Sequence, residues 1–149
     1  MDEQIHQLYI DYLKVRKIKI PEDQFVYLTK LYPALLICMS DGVLDREEWD
    51  GIVMATRGLA AEFVKSPTDN RDMIAMSFRT EIRYLIDNID KWKKKFLNSL
   101  EHSLRGQPLD QEFVIETMYL FANIAEGISD EEIEEINTLA RRLGIERQL

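Results

Sequence analysis

The sequence predicts an all-α fold, arranged as a single compact domain over residues 1–149, on three observations. Apolar residues recur at the spacing of a helix face along nearly the whole chain. No stretch reads as a convincing strand. The breaks between periodic segments are short and carry Gly, Pro, Asn and Asp, as tight helix connections do.

Seven helices follow in order. Ile5, Leu8, Tyr9 and Tyr12 mark the first. Pro21 suits the first turn of the second, whose stripe is Phe25, Leu28, Tyr32, Leu35, Leu36 and Met39. Pro33 falls within that stripe and is expected to kink or divide the helix, because it lacks the amide proton. The third follows Asp45, with Trp49, Ile52, Thr56, Leu59 and Phe63 on one face. "KSPTDN" breaks the pattern before a fourth helix with Ile74, Phe78, Ile82 and Leu85. The chain turns around "DNID", and Trp92, Phe96, Leu100 and Leu104 stripe the fifth. "RGQPLD" is the clearest loop, with Asp110 as candidate N-cap of the sixth helix, which carries Phe113, Thr117, Leu120, Phe121 and Ile124. The seventh carries Ile133, Ile136, Ala140 and Leu143, and Gly144 suits a left-handed C-terminal cap with Ile145 folding back.

Composition narrows the function. A length of 149 residues buries a core without disulfides or structural metal. The formal net charge of −8 disfavours general binding of nucleic acid or of an anionic membrane and favours cations or basic partner proteins. The lone cysteine, Cys38, excludes an intramolecular disulfide and fits a reducing compartment. The acidic start "MDEQIHQLYIDYL" has no continuous apolar block, so no signal peptide is expected, and no apolar run approaches roughly 20 residues. The expectation is a cytoplasmic protein without a membrane span, open to peripheral recruitment to a membrane by a partner.

Two stretches repeat one another. "LLICMSDGVLDREEWDGI" and "YLFANIAEGISDEEIEEI" each run from an apolar helix through an acid-glycine pair to a cap and an acidic helix start. The caps read as capping boxes, Asp45 with Glu48 and Ser129 with Glu132. This suggests an internal pseudo-twofold repeat of helix hairpins, with halves around 25–63 and 111–145. Acids after each cap lie at helix N-termini, where negative charge gains about 0.3–1 kcal/mol, so structure alone selects them. Asp41 and Glu126 lie at helix C-terminal ends, where the same term is adverse, and a bound cation would reverse its sign. An EF-hand does not fit. With Asp41 at loop position five, Gly42, Asp45 and Glu48 fall correctly at six, nine and twelve, but Ile37 and Met39 occupy positions one and three. The second copy puts Ile133 at twelve.

The pattern of apolar helix, Asp-Gly, short turn and Glu-Glu, with a second copy leading to "LARRLGI", resembles the TerB-like family, named for bacterial tellurite resistance. The resemblance runs from about the second helix to the end. It implies about seven helices with internal pseudo-symmetry, a cytoplasmic stress-associated role, and divalent metal bound by clustered acids rather than an enzymatic activity. By position, Asp41 and Glu48 match the first motif and Glu126 and Glu132 the second. Glu126 stands where Asp is usual, and the second turn is one residue shorter.

Other constellations carry less. Glu3 and His6 form one Glu-x-x-His step, but Ser99 precedes His102 where a second would need Glu, so a di-iron bundle is not supported. Cys38, among apolar neighbours, reads as a small buried hydrophobe. In "DKWKKKF", Trp92 and Phe96 face inward while Lys93, Lys94 and Lys95 fan into solvent. The leading expectation is a non-enzymatic domain binding Ca²⁺ or Mg²⁺, rather than zinc, through Asp41, Glu48, Glu126 and Glu132. The alternative is a metal-independent protein-interaction module with an acidic surface.

Overall fold

In the computed structural model, α2 (Glu22–Cys38) is the helix around which the others gather: it packs most extensively on α6 and also touches α1, α4, α5 and α7. The structure describes residues 3–40, 42, 44–124 and 127–145, and among these all regular structure is helical. The remaining elements are α1 (Glu3–Arg16), α3 (Arg46–Ala60) with a 3-10 turn (Ala61–Phe63), α4 (Arg71–Asp87), α5 (Ile89–Leu104), α6 (Pro108–Ala122) and α7 (Asp130–Arg142).

The central place of α2 follows from its composition. Ten of its 17 residues are buried, so it has no polar face wide enough to meet solvent. Phe25, Leu28, Leu31, Tyr32 and Leu35 are fully enclosed, each contributing roughly 1.5–3 kcal/mol by leaving water. That burial on both sides of Pro33 offsets the lost backbone hydrogen bond, and the proline does not divide the helix. Aromatic rings fill the space between α1, α2 and α5: Tyr12 lies 5.1 Å from Phe25, 5.3 Å from Trp92 and 6.0 Å from Phe96, centroid to centroid. A satellite cluster of Ala60, Ala75 and Phe78, backed by Tyr27 and Phe63, holds α3 to α4.

The helix ends differ from expectation in places. α6 starts at Pro108, whose missing amide proton costs nothing in a first turn. Asp110 therefore lies inside the helix and does not cap it; its carboxylate takes a 3.0 Å ion pair from Lys30 instead. Asn70, the last residue of "KSPTDN", caps α4 by accepting from the amides of Asp72 and Met73. Only Asn88 separates α4 from α5. The third helix ends before Phe63, which sits in the 3-10 turn. Leu120, placed on a core stripe by spacing, is 56% exposed. Gly144 adopts φ +72°, and the amide of Ile145 donates to the carbonyl of Ala140, closing the last turn as predicted.

One polar cluster sits inside the core. Glu81 is 2% exposed, yet it projects from α4 toward α1. Its Oε1 accepts from Tyr12 at 2.7 Å and from Arg16 Nε at 2.8 Å, and its Oε2 accepts from Arg16 Nη2 at 3.0 Å. The guanidinium lies 4.1 Å from the Tyr84 ring centroid, and Trp92 Nε1 donates to the Tyr84 hydroxyl. Every charge in the cluster is answered, as burial demands.

Candidate functional site

Packing of α2 along α6 brings the C-terminal ends of the two helices together. Cys38 Sγ lies 3.9 Å from the Phe121 carbonyl, buried as its neighbours imply. Each chain then turns through a glycine with positive φ, Gly42 at +80° and Gly127 at +82°, a conformation that a side chain would strain. Each re-enters a helix through a complete capping box. The Glu48 amide donates to Asp45 Oδ1 at 2.8 Å, and the Asp45 amide donates to Glu48 Oε1 at 3.4 Å. In the second, the Glu132 amide donates to Ser129 Oγ and the Ser129 amide to Glu132 Oε1, both at 3.1 Å.

The two junctions open onto one cleft of about 290 Å³. Ile37, Cys38, Phe121 and Ala122 form its floor. Its walls carry five carboxylates: Asp45 and Glu48 from one junction, Glu131, Glu132 and Glu135 from the other. No lysine, arginine or histidine is among its described lining residues. The amino-terminal ends of α3 and α7 border this space and offset part of the negative field with their dipoles.

Of the four residues singled out from sequence, Glu48 and Glu132 line this cleft together. Asp41 and Glu126 lie outside the described residues. The capping boxes engage Oε1 of both described glutamates. Among the described residues, no group of three or more His, Cys, Asp or Glu side chains is arranged to hold a metal ion. Glu131 and Glu135 also line the cleft and were not singled out. Their four-residue spacing puts them on one face of α7, which was the available signal.

Beyond the cleft, His6 is a surface residue, its Nδ1 2.8 Å from Glu22. Among the described residues no helix is long and apolar enough to cross a membrane. The chain matches no protein-family model, and no match is found among curated proteins or solved structures.

Proposed function

We propose that the chain is a non-enzymatic, TerB-like helical domain that takes up a divalent cation where its two capped junctions meet, in a stress or tellurite-resistance setting. The convergence of both capping-box junctions on one acidic cleft carries this reading. Six waters at about 30 Å³ each occupy roughly 180 Å³, so about 290 Å³ accommodates a hydrated ion. The donors are carboxylate oxygens, which suit Mg²⁺ or Ca²⁺. The described residues alone do not make a chelate. The reading therefore makes Asp41 and Glu126 the principal ligands, with Glu48 and Glu132 contributing from the following helices.

Calorimetric titration with Mg²⁺ and Ca²⁺ tests it. The wild type takes up one ion, and Asp41→Asn with Glu126→Gln abolishes the uptake. Equal uptake by both proteins would leave only diffuse attraction to an acidic surface. A second reading, a metal-independent interaction module, rests on Met54, Met73 and Met76. These are 75%, 69% and 65% exposed on the packed pair α3 and α4, and flexible thioethers serve adaptable protein contacts.

A further inference from the structure

Seven lysines without an ion pair to a described residue collect at one end of this acidic molecule. Lys14 belongs to the last turn of α1, with Lys17 and Lys19 in the segment beyond it. Lys91, Lys93, Lys94 and Lys95 lie in the first two turns of α5. The core brings the two runs together. Tyr12 and Trp92 are in ring contact, Arg16 stacks on Tyr84, and the Lys91 and Lys95 ammonium groups lie 5.9 and 5.6 Å from the Trp92 ring centroid. All seven lysines are exposed, as is Val15 between them. The acids nearby are Asp11, which accepts from Gln7, Asp90, and Asp87, which faces Arg83.

Structure alone explains part of this. Lysines at the end of α1 complement its dipole. Those at the start of α5 do not: Lys91 meets the positive end of the helix, and Lys91 and Lys95 repel each other at four-residue spacing. In physiological salt, charges more than about 8 Å away are largely screened, so an approaching surface feels the exposed lysines more than the net charge of −8. The arginines in the region are already engaged: Arg16 is turned inward onto Glu81, and Arg83 pairs with Asp87. What remains is lysine only, hydrated point charges suited to diffuse attraction rather than to the forked recognition of a single phosphate or carboxylate. The lysines are exposed on two helix ends and the segment after α1, which a fluid sheet of anionic headgroups can meet without a matching groove.

We propose that the paired ends of α1 and α5 form a peripheral docking face for an anionic lipid bilayer, independent of the acidic cleft. Sedimentation of the full chain with phosphatidylcholine vesicles, with and without about one third phosphatidylserine, tests this. Binding appears only with the anionic lipid and weakens with salt. Basic side chains at such a surface strengthen binding roughly fivefold apiece. Lys93→Gln, Lys94→Gln and Lys95→Gln together therefore lower partitioning by at least about tenfold, with the helical circular dichroism unchanged. A charge-matched control, Arg46→Gln, Arg79→Gln and Arg105→Gln, changes it far less. Equal losses in the two triple variants, or no anionic-lipid binding, would overturn the proposal. So would tighter binding of soluble polyglutamate or of a short DNA duplex, which would reassign the face to a soluble polyanion.

Discussion

Gly51 of α3 lies so close to Ile124, at the second junction, that a Cβ placed on the glycine would overlap the isoleucine Cγ2 and stand 3.3 Å from its Cβ. The close approach ties α3 of the first junction to the chain leaving α6 at the second. Gly51→Ala gains about 1 kcal/mol of helix propensity, but the overlap involves atoms near the isoleucine backbone, which cannot swing aside. Forced overpacking costs about 1–3 kcal/mol. Urea denaturation is expected to show a net loss of up to about 2 kcal/mol for Gly51→Ala. In an Ile124→Ala background the same Gly51→Ala change should cost much less than in the wild type, a coupling that independent sites would not show.

Glu81 and Arg16 form the second internal tie. Removing one partner of a buried ion pair costs about 3–5 kcal/mol, because the other charge stays behind. Arg16 is 21% exposed and partly hydrated, so Glu81→Gln is expected to cost no more than the bottom of that range, about 3 kcal/mol. Glu81→Met with Arg16→Met removes both charges and should be more stable than Glu81→Gln alone. Denaturation midpoints for the wild type and the two variants check this; a double variant no better than the single would mean the loss is packing rather than stranded charge.

These two ties show what the residues disclosed and what they did not. Every predicted helix is present, because each buries a face whose 3.6-residue period is written locally. Both capping boxes formed as read, since the chemistry lies within four residues. Asp110 was misread as a cap because Lys30, which claims it, lies eighty positions away. Glu81 shares the face of Phe78, Ile82 and Leu85, so its spacing pointed inward while its charge argued outward. Arg16, which settles the matter, is 65 residues distant. In the cleft, Glu48 and Glu132 were legible from the repeat. Glu131 was set aside as an ordinary helix-start acid, and Glu135 had no partner in the first copy, where the equivalent position is Gly51.

The tyrosines set the alkaline limit of the fold. Burial, then the charge of Glu81, raises the Tyr12 phenol; burial, then Asp90, raises Tyr32. Burial, followed by the hydrogen bond to Glu62, pushes Tyr27 up to about 12. A raised folded pKa means that stability is whole below the unfolded value near 10 and is lost as pH climbs toward the folded one. Each buried phenol removes about 1.4 kcal/mol per pH unit in that window. Stability is therefore expected to fall steeply above pH 10, with phenolate absorbance and loss of helical signal rising together. Tyr12→Phe should shallow the fall; independent titration of all six tyrosines near 10 in an intact helical protein would contradict the burial described.

The cleft makes its own electrostatic prediction. Glu131 gains from the start of α7, but Glu135 lies beyond the first turn and faces Glu131 at like charge. Glu135→Gln should therefore stabilise the protein by a few tenths of a kcal/mol at low salt. The gain should vanish near 1 M salt, where the screening length falls to about 3 Å. Glu131→Gln should be neutral or slightly destabilising, because it forfeits the helix-start term. If a divalent ion resides between the junctions, millimolar Mg²⁺ or Ca²⁺ raises the wild-type Tm, since whatever binds only the folded state stabilises it. The rise should shrink in Asp41→Asn with Glu126→Gln yet persist in Glu135→Gln. Thermal melts of these four proteins, with and without the ion at matched ionic strength, separate a bound cation from simple screening: screening would raise every Tm in proportion to remaining acidic charge, whereas a seated ion is lost only with its ligands.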